Sequence, residues 1–169
     1  MNSTVYTGIF IIVTIVLLAI VISWVNRNKK KSDYKKLLKD FEDFVIQNHL
    51  TIDKKQKLHK NMIGIDRLNL KLIFLNNSSM PHHFHVINLH DLSACRLIKQ
   101  KNLSTGHISA IYLKCIFKKK ETPNIEIPFY DALHDDIFKM MRLSKKASYW
   151  QKSINIFRQT AILSAQNSV

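Results

Sequence analysis

Residues 107–118, HISAIYLKCIFK, decide the fold class of this chain. Ile111, Leu113, Cys115 and Phe117 fall on one side of an extended segment, and Tyr112, Lys114 and Lys118 fall on the other. Apolar residues at a period of two, with polar ones between, mark a half-buried strand. The alternation continues on both sides of this segment. NIEIPF at 124–129 puts Ile125, Ile127 and Phe129 on one face. Upstream, SACRLIKQ (93–100) follows HFHVINL (83–89), where Phe84 and Val86 oppose Ile87 and Leu89. In RLNLKLIFL (67–75), Leu68, Leu70, Leu72 and Phe74 share a face. Turn-forming residues at 66–68, 76–79, 102–106 and 121–124 separate these runs. No helix of about ten residues or more interrupts them, so the sheet is expected to be antiparallel.

Downstream the period becomes helical. Leu133, Ile137, Met140, Met141, Ala147, Trp150, Ile154 and Phe157 recur mostly at steps of three, four or seven, and no Gly or Pro follows Pro128. This predicts a long C-terminal helix whose apolar stripe covers the sheet, with a break at 143–144 where Ser144 caps a second segment. Residues 161–169 are expected to fray.

Upstream, residues 51–61 read as a linker or one weak strand. Residues 32–49 read as an amphipathic helix, with Tyr34, Leu37, Leu38, Phe41, Phe44 and Val45 on one face and Ser32 as N-cap. Before it, TVYTGIFIIVTIVLLAIVISWV (4–25) carries no charge. Residues 5–25 would make a helix of about 31 Å, the thickness of a hydrocarbon core. A signal peptide fits poorly, because the basic cluster follows the apolar run and no small-residue cleavage site precedes Asn26. A buried core helix fits worse, since the run has no polar face. The flank Arg27, Lys29, Lys30, Lys31, Lys35 and Lys36 then predicts an outside N-terminus and a cytoplasmic C-terminal part.

The chain has 169 residues and a net charge of +14. Residues 26–60 carry 11 basic and 5 acidic residues, and 61–169 carry 15 and 7. Such a balance suits an anionic lipid surface or nucleic acid, with solubility the plainer explanation. Cys95 and Cys115 lack any zinc-binding spacing, so reduced, packed thiols are expected.

This order of elements resembles the pleckstrin-homology-like (PH-like) superfold, over roughly residues 62–158. MIGIDRLNLKLIFL looks like its opening hairpin. FHVINLHDLSACRL looks like the strand, short loop and strand in which such domains write I-x-x-x-D-I/L. IEIPFYD, followed by a helix with Ala147, Trp150 and Ile154, looks like the last strand and capping helix. The family has seven strands. Six are placed above, and the seventh would come from 51–59. The resemblance implies binding of lipid head groups, peptides or proteins, and no catalytic residues. Lipid-binding members cluster basic residues in the first hairpin, where this chain has only Arg67 and Lys71.

The candidate chemistry is sparse. His82, His83, His85 and His90 are the densest group of potential ligands. His83 and His85 share a strand face, the weak candidates for a metal, with surface histidines as the plainer reading. Asp131, Asp135 and Asp136 lie where a helix begins, and favour its dipole more than acid–base work. Lys118, Lys119 and Lys120 form a hairpin tip that could contact an anion or lipid. Without interleaved aromatics they do not suit single-stranded nucleic acid. The chain has three glycines, no phosphate loop and no catalytic motif. No enzyme, cofactor or metal is expected.

The expectation is therefore α+β. A short extracytoplasmic tail (1–4) leads to a transmembrane helix (5–25). A basic flank, amphipathic helix and linker follow (26–61). A PH-like cytoplasmic sheet or open barrel of six to seven strands is capped by a long helix (62–160), and a tail (161–169) ends the chain. It would be a single-pass, membrane-anchored binding or scaffold protein of a bacterial inner membrane. Its partners would be the bilayer, and a protein or anionic lipid head groups. A structural subunit of a homo-oligomer or larger complex is the alternative, and a histidine-based metal site or enzyme the third.

Overall fold

The computed structural model describes residues 2–58, 61–77 and 83–166. Among the described residues, seven strands form two antiparallel meanders. The first is β1 (Lys54–Leu58), β2 (Asn61–Asp66), β3 (Lys71–Asn76) and β4 (His83–Asn88), paired in that order. A 3-10 turn, Leu89–Asp91, leads to the second: β5 (Leu92–Lys101), β6 (Ile108–Phe117) and β7 (Ile125–Asp131). Helix α1 (Asn2–Gln47) precedes the strands and α2 (Ile137–Gln166) follows them. The chain divides into two compact units, Met1–Asp43 and Phe44–Val169.

Among the described residues, no helix is long and apolar enough to cross a membrane. This corrects the expected span over 5–25, and with it the single-pass, inner-membrane placement and its orientation. A span needs about 20 consecutive, predominantly apolar residues in one helix, and no described helix meets that combined length and apolarity.

The separate helix over 32–49 is also corrected. Helix α1 runs through Ser32 unbroken. No Gly or Pro occurs from Ile9 to Ile63, and Lys, Leu, Asp and Glu around Ser32 keep the helical hydrogen bonds going. The helix stops where His49 enters the left-handed region, φ 51°. The N–H groups of Asn48 and Leu50 there donate to Phe44 O and Val45 O.

Residues 54–58 form a true strand. β1 pairs with β2 from Lys54↔Ile65 to Leu58↔Asn61. The expected strand at 67–75 is shorter than its alternation suggests. Arg67–Leu70 is a turn, Leu68 is 78% exposed, and β3 begins at Lys71. Asp66 imposes this. Its buried carboxylate accepts the N–H of Thr51 at 2.7 Å, and the N–H and side-chain amide of Asn69 at 2.8 Å. Leu70 is held in the left-handed region (φ 51°), and its carbonyl accepts the N–H of Leu89. Burial pushes the Asp66 carboxyl up, but the bonds from Asn69, Thr51 and Leu68 outweigh it and hold the group below the usual carboxylate value.

One core joins both sheets and α2. It takes Ile63, Leu72 and Phe74 from the first sheet, Ile111, Leu113 and Ile127 from the second, and Ala147, Trp150 and Ile154 from the helix. Met62, Ile73 and Leu75, on the other face of β2 and β3, are buried too. On that face, Phe44 at the end of α1 stacks on Phe84 at 3.9 Å, nearly parallel.

Candidate functional site: helix α2 and the strand edges

Asp136 starts α2. Its carboxylate accepts the N–H of Phe138 at 3.0 Å, as an N-cap does. Asp131 and Asp135 knit the preceding loop: Asp131 accepts from Leu133 N–H and pairs with His134, and Asp135 accepts from Asp131 N–H. These carboxylates close a turn around backbone groups. From Ile137 the helix is unbroken to Gln166, so the expected break at 143–144 does not occur. Ser144 and its lysine neighbours continue the helix, with no Gly or Pro to end it. Nor does the end fray at 161: Ala161 is fully buried. Residues 167–169 lie outside the described residues.

Trp150 anchors the helix. Its ring is fully buried, and its indole N–H donates to Gln56 Oε1 at 2.6 Å, tying α2 to β1. Beside it, Lys54 lies 3.8 Å from the Tyr149 ring centre and donates to its hydroxyl.

Helix α2 also completes the edge of β5. Asn155 accepts the N–H of Cys95 at 3.2 Å and donates to its carbonyl at 2.9 Å. The side chain thus supplies both bonds that a neighbouring strand would. Gln151 donates to the same carbonyl, and Arg158 donates to Ser93 O. Ser93 is the extra residue of a bulge, where the register jumps from Leu92↔Phe117 to Ala94↔Ile116. The groove between β5 and the C-terminal helix is therefore filled by the chain's own side chains over residues 93–95.

The other edges differ in character. β1 carries Lys54, Lys55 and Lys57, charges that oppose pairing with another strand. β7 carries Pro128, which has no N–H to offer, beside a bulge at Phe129. β4, HFHVIN, has neither lysine nor proline.

The exposed side of α2 departs most from the sequence reading. Leu133, Ile137 and Met141 were expected in its apolar stripe. Instead Leu133 is 89%, Ile137 59%, Phe138 89% and Met141 68% exposed. The buried stripe is Ala147, Trp150, Ile154 and Ala161, with Met140, Leu143 and Phe157 packed against it. The opposite stripe runs Phe138, Met141, Lys145, Tyr149, Lys152, Ile156 and Leu163, again at steps of three, four and seven. Periodicity alone cannot separate two apolar stripes on one helix. The signal that could have done so is charge, because Lys145 and Lys152 fall in the second stripe only.

The remaining candidates are scattered. His83 and His85 lie on β4, paired with Asn76 and Phe74. The His85 ring sits 6.0 Å from that of Phe74. His90 lies in the 3-10 turn, and His82 lies outside the described residues. Among the described residues, no three His, Cys, Asp or Glu side chains come together as a metal site would need. Lys118, Lys119 and Lys120 are exposed after β6, and Lys118 N–H donates to Asp91 O. Arg27, Lys29, Lys31, Lys35 and Lys36 are exposed along α1, which also contains Lys30.

Cys95 and Cys115 face each other across β5 and β6 as buried, free thiols. A hydrogen bond with Cys115, burial, and charge repulsion from Cys115 push the Cys95 thiol far above its ordinary value. A thiol so held is inert toward nucleophilic chemistry.

Compared with known proteins, the chain matches no protein-family model, no curated protein and no solved structure.

Proposed function

We propose that Phe44–Val169 is a non-enzymatic binding module of the PH-like kind, whose partner carries negative charge. Seven antiparallel strands in meanders of four and three, followed by a helix packed on their common core, support the architectural part. Charge carries the functional part. This unit holds 19 Lys and Arg against 8 Asp and Glu, a net +11. Helix α2 holds six cationic residues and no acidic one. Long-range attraction of that size concentrates anionic partners at the surface and weakens with salt.

The test is a titration of the full chain with polyglutamate and with vesicles of equimolar phosphatidylserine and phosphatidylcholine, at rising salt. Saturable binding to at least one, falling with ionic strength, is the expected result. Binding to neither removes the reading.

A further inference from the structure

We infer that the exposed start of α2 is a contact surface for an anionic lipid layer, with Phe138 and Met141 entering the headgroup region. The inference rests on the anionic-partner reading above and names the partner. Four large apolar side chains, Leu133, Ile137, Phe138 and Met141, stand in solvent within nine residues. Such a cluster marks an interaction site more often than chance exposure. Arg142 and Lys145 lie one turn further along the same exposed side.

The arrangement decides between partners. Apolar residues interleaved with cations on one helix face suit an interface whose surface is anionic and whose interior is apolar. A second copy of this chain suits it poorly, because Lys145 and Lys152 lie in the stripe that two helices would share, and like charges there repel. An acidic polypeptide would satisfy the cations but gives no reason for Phe138 to be 89% exposed at the end of the element. This site is made by the start of the helix and does not use Arg67 and Lys71 of the first hairpin or Lys118, Lys119 and Lys120.

The experiment reads the site and not the whole chain. Met141→Cys is labelled with an environment-sensitive fluorophore; Cys95 and Cys115 are buried and stay unlabelled in the folded protein. Ser104→Cys, in the β5–β6 turn, is the control. On equimolar phosphatidylserine–phosphatidylcholine vesicles, the label at 141 brightens and is quenched by brominated acyl chains, while the label at 104 is unchanged. Adding Arg142→Glu and Lys145→Glu weakens the response at least about tenfold. The inference is overturned if label 141 behaves as label 104 does, or if phosphatidylcholine alone gives the full response. It is also overturned if polyglutamate and not vesicles moves the label. In that last case the anionic-partner reading stands and only its lipid identity falls. A chain that binds neither probe loses both.

Discussion

Strands β2 and β6 are both interior to their sheets, yet they are built differently. Every residue of β2, from Asn61 to Asp66, is buried. In β6 burial alternates: Ile111, Leu113 and Cys115 are inside, and Tyr112, Lys114 and Ile116 are half-exposed between them. One sheet is covered on two faces and the other on one. Strand periodicity is thus a record of which faces meet water, and it fades where none does.

The largest effects should follow that difference. Ile73→Ala, on the second face of the first sheet, is expected to cost about 3 kcal/mol, as much as Leu72→Ala on the core face. In β6, Leu113→Ala should cost about as much, while Tyr112→Ala on the half-exposed face costs about 1 kcal/mol. Urea midpoints measure all four. Equal losses at positions 73 and 112 would break the comparison.

Next in size is the turn that closes the doubly covered sheet. Asp66→Ala leaves the N–H of Thr51 and both donors of Asn69 without their acceptor, and should cost about 2 kcal/mol. The carboxyl's folded value lies below its unfolded one. Its contribution is therefore complete above the unfolded value and lost as pH falls below about 4, through the folded one. Stability curves from neutral to acid should slope less in Asp66→Asn than in the parent.

The singly covered sheet depends on α2 for its edge. Asn155→Ala should cost about 1–2 kcal/mol and expose the N–H and carbonyl of Cys95. Sedimentation velocity should then show self-association through β5. A variant that is destabilised yet strictly monomeric would mean that Gln151 and Arg158 suffice to guard the strand.

The smallest change is expected at the thiols, where a disulfide reagent should modify neither Cys95 nor Cys115 until urea unfolds the chain. Rapid labelling of native protein would show that the facing pair is reached by solvent.

The legible parts of the fold were those with one wet face. HISAIYLKCIFK and NIEIPF could be placed almost residue by residue, because lysine, tyrosine and glutamate alternate with buried aliphatics there. KKQKL at β1 could not. Gln56 points at Trp150 and Lys54 at Tyr149, so two of its three inward positions are polar and Leu58 alone carries a hydrophobic signal. RLNL looked extended because its leucines alternate, but the Asp66–Asn69 hydrogen bonds decide for a turn. The apolar run before Asn26 has the uncharged length and basic flank of a span, but among the described residues no helix meets the length and apolarity that a span needs. At the candidate site, the composition of α2 showed its cations, and its two stripes were merged into one. Only packing showed which of them the core takes.

The seal that Asn155 places on Cys95 spans 60 residues of sequence. Every strand precedes it in the chain, so during synthesis the second sheet can pair fully while β5 still lacks its cover. Closing that edge is a long-range, entropically slow event that waits for α2 to form. The nascent chain therefore passes through an interval in which it has a nearly finished sheet and an open template. An unpaired strand edge held open in this way is a template for aggregation until the helix closes it.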